Sequence, residues 1–181
     1  SESDSEFESI NTQVEKPSLL YVGVDGVMTP LNQKQGYKEA KVGVVFWSKD
    51  HQKVKGQRGK IRRREYIATL KSRQEFRDRI AQLYNQIARQ KIAQTVVIGD
   101  GAHWIWQMAQ EQFPGSIEIL DFFHLSEYVW KVAKLAYPKN EQKQKDWVSI
   151  QQNLLKQSQW KTVILHSSQL KRKKPDLIKA I

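Results

Sequence analysis

The chain has 181 residues, with 30 Lys plus Arg against 19 Asp plus Glu, a net charge of +11 and a pI near 9.8. That length suits one domain, and 39% hydrophobic residues supply a core and exclude global disorder. No apolar run approaches the roughly 20 residues of a membrane span, no basic-then-apolar leader predicts secretion, and zero Cys excludes disulfides, thiolate metal ligands and a Cys nucleophile.

Residues 1–17 hold five acids and one Lys, a local charge of −4, with no apolar period and a closing Pro17. This segment reads as a disordered lead-in. The remaining body carries +15, concentrated in two blocks. Residues 49–73 contain ten Lys or Arg, among them Lys53, Lys55, Arg58, Lys60, Arg62, Arg63 and Arg64, and a second run spans Lys171 to Lys174. Taken singly, each block also fits a solvated loop or tail. Together, on one small domain, they point to a polyanionic partner held through its phosphates.

Residues 18–24 (SLLYVGV) form a short apolar run that predicts a buried strand, with Asp25–Gly26 as the turn after it. Residues 37–47 (YKEAKVGVVFW), rich in β-branched and aromatic side chains, predict a second strand. The charged, glycine-containing stretch 48–60 predicts an exposed loop, and 61–70 a third strand. No helix intervenes among these strands, so they pair antiparallel. Phe76, Ile80, Leu83 and Ile87 then recur at helical spacing, giving an amphipathic helix over 72–91 with Ser72 as N-cap.

Residues 94–99 (QTVVIG) predict a strand running into Asp100–Gly101. A short helix follows with Trp104, Ile105 and Met108 on one face, ending before Pro114–Gly115. Residues 116–120 predict a fifth strand that delivers Asp121. A helix over 123–136 places Leu125, Tyr128, Val132 and Leu135 on one stripe, and 141–157 is helical around Trp147, Ile150 and Leu154. The fold class is therefore α/β: three antiparallel strands, then two parallel strands, in one mixed sheet with helices on both faces.

In such sheets ligands gather at the carboxyl ends of parallel strands. Asp25 and Asp100 each close an apolar strand, and two carboxylates brought together there need a cation. Hard oxygen donors suit Mg²⁺ or Mn²⁺, and a cation inside a basic surround suits phosphate-ester chemistry. Each Asp-Gly pair alone is equally a turn dipeptide. His103 reads as a neighbour of a helix start. Of Trp104 and Trp106, one is expected in the core and the other is open to base stacking.

The segments YVGVDGV (21–27), EAKVGVVF (39–46), VIGDGAHWIW (97–106) and ILDFFHLSEYV (119–129) resemble DDE transposases of bacterial insertion sequences, of the ISKra type related to Mutator-like transposases. The resemblance covers residues 20–165. It implies a ribonuclease H-like fold over 18–137, followed by a helical, basic extension over 138–181 that begins the family's insertion. It implies Asp25 and Asp100 as the first two catalytic acids and metal ligands, with Asp121 and His124 as a D-x-x-H supporting element. The family's third acid is a distant downstream Glu that the segment SSQLKRKKPDLIKAI does not match. Glu127, on the helix after the fifth strand, is the minor alternative for a third acid, since the motif assigns it to the D-x-x-H helix; a truncated, decayed or split transposase is the expected account.

The implied function is Mg²⁺- or Mn²⁺-dependent DNA cleavage and strand transfer, on element ends and target DNA, by a dimer or larger transpososome in the bacterial cytoplasm at the nucleoid. The basic residues of 49–73 would hold the DNA backbone. The alternatives are a non-catalytic DNA-binding remnant and a haloacid dehalogenase-type phosphatase. GVDGVMT resembles the phosphatase motif, but its nucleophile position is Gly23 and its late acid falls at Trp104, which closes the covalent route.

Overall fold

The computed structural model describes residues 18–31, 36–53, 55–56, 59–88 and 92–173. The acidic segment 1–17, Arg58 and the chain from 174 onward lie outside them. The element order is β1 (Ser18–Pro30), β2 (Tyr37–Trp47), a 3-10 turn (Ser48–Asp50), β3 (His51–Gln52), β4 (Lys60–Ile61), β5 (Glu65–Thr69), α1 (Arg73–Ile87), β6 (Ile92–Gly99), α2 (His103–Gln112), β7 (Ile117–Leu120), α3 (Phe122–Ala136), α4 (Glu141–Lys156) and α5 (Trp160–Lys173).

Five strands form one mixed sheet in the order β5-β2-β1-β6-β7. β5, β2 and β1 pair antiparallel, and β1, β6 and β7 pair parallel. β1 is thus the central strand, where the two pairing modes meet. Its parallel partners run from Ser18 to Gly23, opposite Ile98. Its antiparallel partners on β2 continue to Pro30, opposite Tyr37. Asp25–Gly26, expected as a turn, is therefore strand. The backbone stays extended because β2 pairs with it, but β6 has already ended.

Alternation along β1 explains the layers. Leu20, Val22 and Val24 point to one face and join Val45, Trp47, Val97, Phe76, Ile80, Ile105 and Met108 in the main core. α1 and α2 cover this face. Gly43 admits α1: a Cβ there would stand 2.6 Å from Ile80 Cδ1 and 3.1 Å from Phe76 Cζ. Gly99 likewise admits α2, since its Cβ would meet Ile105 Cγ2 at 2.8 Å. Ser72 Oγ accepts from Glu75 N at 3.1 Å and caps α1.

The opposite face carries Tyr21, Gly23, Asp25, Val42, Val44, Phe46 and Ile98, half-buried, with Tyr21 and Phe46 stacked at 5.1 Å. Helices were expected on both faces. Instead α3 packs on α4 through Val129, Ala133 and Val148, and reaches this side of the sheet at the strand ends, where His124 stands near Asp25.

The stretch 48–60 differs from a plain loop. His51–Gln52 pairs with Lys60–Ile61 as a two-stranded ribbon. The third main strand is accordingly shorter than 61–70, because Ile61 belongs to the ribbon and Arg62–Arg64 bridge to β5. The expected α3 stripe is rotated as well. Val132 is buried as expected, but Leu125 is half-buried and Tyr128 and Leu135 are exposed, whereas Ser126, Val129, Ala133 and Ala136 are buried. On α4, Ile150 is exposed and Gln144, Val148 and Gln151 are buried.

Candidate functional site

The register of β1 and β6 builds the site. Gly23 stands opposite Ile98, so Asp25 and Asp100, each two residues further on, leave neighbouring parallel strands at one level and on one face. Donor atoms of Asp25, Asp100 and His124 all lie within 4.8 Å of one another. The cleft around them is lined by Gly23, Val42, Val44, Tyr66, Ile98 and Asp121. Its floor is apolar and its polar groups converge at one end.

Each acid is held by its own backbone. Asp25 Oδ1 accepts from Gly26 N at 2.8 Å, and Asp100 Oδ1 accepts from Ala102 N at 2.8 Å, shaping the turn into α2. Gly101 makes that turn with φ +100°, a conformation that favours glycine. Asp121 N donates to Gly99 O at 2.7 Å, which carries the β6–β7 pairing one residue further. The Asp121 carboxylate then caps α3, accepting from Phe123 N at 2.6 Å and His124 N at 3.3 Å.

That cap aims His124. Its Nε2 lies 4.0 Å from Asp25 Oδ1 and its Nδ1 lies 3.7 Å from Asp121 Oδ1. Nδ1 is shielded from solvent and has no hydrogen-bond partner among the described residues. Two ligands at about 2.1 Å from one ion stand roughly 3–4.2 Å apart, so a 4.0 Å gap is ligand spacing rather than hydrogen-bond spacing. Two carboxylates and an imidazole whose Nε2 faces Asp25 fit a divalent cation.

The structure thus brings together Asp25, Asp100, Asp121 and His124. Glu127 is exposed further along α3 and is not one of the clustered ligands. Lys53, Lys55, Lys60, Arg62, Arg63 and Arg64 are exposed, but none of them lines the cleft. Arg64 adjoins Glu65, which pairs with Val45, whereas Asp25 pairs with Val42. The arginines therefore sit about 10–13 Å along the strands from the acids. Arg63 and Arg64 line a separate hollow with Phe46, Trp47 and Lys49, and the Arg64 guanidinium lies 5.6 Å from the Tyr66 ring centre.

Trp104 and Trp106 both pack against the main core, Trp104 edge-on to Phe76 at 5.9 Å. His103 is exposed at the start of α2. Sequence reasoning missed Gly23 as a site residue. Its Cβ would meet Val44 Cγ1 at 2.8 Å, so only glycine leaves the floor of the cleft undisturbed. A glycine two residues before an acid on a strand is the signal that marks such a close approach.

Curated proteins offered no match to this chain. The sequence model of an uncharacterised protein family, UPF0236, matches residues 2–173. That match runs through every strand and helix described above, and the chain belongs to the UPF0236 family.

Proposed function

We propose that this chain is the catalytic portion of a DDE-type transposase with a ribonuclease H-like fold, acting on the phosphodiester backbone of DNA. The single observation that carries this reading is the convergence of Asp25 and Asp100 where the parallel pairing of β1 and β6 ends, in a β5-β2-β1-β6-β7 sheet. The resemblance of residues 21–27, 97–106 and 119–129 to such enzymes supports it from the sequence side.

Asp25 and Asp100 would hold a divalent ion, Mg²⁺ or Mn²⁺, which would supply activation of an attacking oxygen and charge stabilisation of the leaving one. Gly26 N and Ala102 N each donate to one oxygen of a carboxylate and so fix its orientation at the cleft. Asp121 positions His124 through the α3 cap. Gly23, Val42, Val44 and Ile98 give the cleft an apolar floor. The exposed Lys53, Lys55, Lys60 and Arg62–Arg64 grip the DNA backbone away from the reacting phosphate, positioning the duplex without reading its sequence.

The test is nicking of supercoiled duplex DNA in the presence of Mg²⁺ or Mn²⁺, with Asp25→Ala and Asp100→Ala as controls. Nicking that needs both acids supports the reading. Salt-sensitive DNA binding with no metal-dependent nicking refutes catalysis by this chain and favours a DNA-binding role.

A further inference from the structure

We propose that His124 is itself a metal ligand, and that the Asp25–Asp100–His124 set selects a first-row transition-metal dication over Mg²⁺. This rests on the two-carboxylate metal reading above, and adds a ligand and a metal preference to it. Three observations carry it. Among the described residues, His124 is the one that shares the 4.8 Å donor cluster with both acids. Its Nε2 approaches Asp25 at 4.0 Å, too long for a hydrogen bond. Its Nδ1 is shielded and has no hydrogen-bond partner among the described residues, yet faces the Asp121 carboxylate at 3.7 Å.

The last contact assigns the two ring nitrogens. A ligating imidazole turns one nitrogen to the metal and its other N–H to a carboxylate or carbonyl, which fixes its tautomer and orientation. Asp121 is placed for that second role and is itself pinned by Phe123 N and His124 N. Nδ1–H then faces Asp121, and Nε2 is the nitrogen presented to the acids. Asp121 is a positioning residue.

The metal preference follows from the donor set. Mg²⁺ takes oxygen ligands in a near-ideal octahedron and keeps several waters, whereas imidazole suits first-row transition metals. Two oxygens and one nitrogen therefore give up little with Mg²⁺ when the nitrogen is lost, and much with Mn²⁺.

The probe is Mn²⁺ alone, followed by electron paramagnetic resonance on the full chain, with Mg²⁺ measured by competition. Wild type is expected to show electron spin-echo modulation from a ligating ¹⁴N, absent in His124→Ala. Mn²⁺ affinity should fall about 10–100-fold in His124→Ala, while Mg²⁺ affinity changes by less than about threefold. Asp121→Asn keeps a capping oxygen, so its melting temperature should hold while Mn²⁺ affinity drops several-fold. His124→Gln provides a second variant with retained bulk, and circular dichroism verifies that each variant is folded.

Absence of the nitrogen signal in wild type, or Mn²⁺ and Mg²⁺ affinities that fall together in His124→Ala, overturns the role of His124. If Asp25→Asn still weakens Mn²⁺ binding in that case, the two-carboxylate reading survives. If neither Asp25→Asn nor Asp100→Asn alters Mn²⁺ binding, both readings fail.

Discussion

Asp100→Asn should stabilise the metal-free protein and destabilise the metal-loaded one relative to wild type. The substitution is nearly isosteric, and the amide oxygen can still accept from Ala102 N, so the turn into α2 is preserved. What it removes is one of two negative charges. At a separation of at most 4.8 Å, two unit charges repel by at least about 0.9 kcal/mol at the dielectric of water and about 3.5 kcal/mol at an effective value of 20. Asp25 and Asp100 are both partly open to solvent, which places the repulsion near the lower figure, about 1 kcal/mol. For a chain of this size that raises the melting midpoint in EDTA by about 2–4 °C, and the gain shrinks in high salt. With Mn²⁺ at 100 times its dissociation constant, wild type gains about 2.7 kcal/mol and overtakes the variant, which loses a ligand. The two melting curves therefore exchange order between EDTA and Mn²⁺ in differential scanning fluorimetry. An Asp100→Asn protein that melts at or below wild type in EDTA would refute the electrostatic argument, because the carboxylates would then not repel one another.

Gly43→Ala inserts a methyl group against Ile80 and Phe76, and overpacking of that kind costs about 1–3 kcal/mol. Urea unfolding should show a midpoint lower by about 0.5–1 M; an unchanged midpoint means that α1 does not rest on β2 as described. Replacing Asp121 by Ala removes the cap of α3 and should cost about 1 kcal/mol, with Asn close to wild type, measured by the same unfolding curves. Changing Arg62, Arg63 and Arg64 together to Ala should weaken duplex DNA binding equally for unrelated sequences. It should also lower the slope of log affinity against log salt by about one per lost phosphate contact, with Mn²⁺ affinity unaltered. Fluorescence anisotropy at several salt concentrations checks both parts.

Period and composition carried much of the fold. Tyr37–Trp47 was predicted and found with the same bounds, and Ser72 caps α1 as its S-x-x-E context indicates. The misses have local causes. Asp25–Gly26 has turn composition, but β2 lies alongside and keeps it extended. The buried stripe of α3 was placed as though α3 packed on a sheet. Its partner is α4, so the stripe turns toward Val129 and Ala133.

Polar core positions are invisible to apolar periodicity. Gln144 is buried because its amide donates to Tyr137 O at 2.7 Å, and Gln151 because it meets His166 Nδ1 at 3.0 Å. For the site, strand ends pointed to Asp25 and Asp100. The nearness of His124 to both acids, and the capping role of Asp121, depend on where α3 starts in space, which spacing along the chain does not encode.

β1 outlasts its neighbour. From Val24 to Pro30 it has β2 on one flank and no β6 partner on the other, a stretch of about 23 Å. Asp25 therefore sits in the crotch of a fork, with one tine formed by the β1–β2 hairpin and the other by the turn from Asp100 into α2. Whatever enters the crotch has the hairpin as a guide rail along one side. Val27, Met28 and Tyr37 stand exposed on that rail, with no core to justify them. On the proposed reading, their replacement by Ser should alter what the fork admits while leaving divalent-ion affinity unchanged.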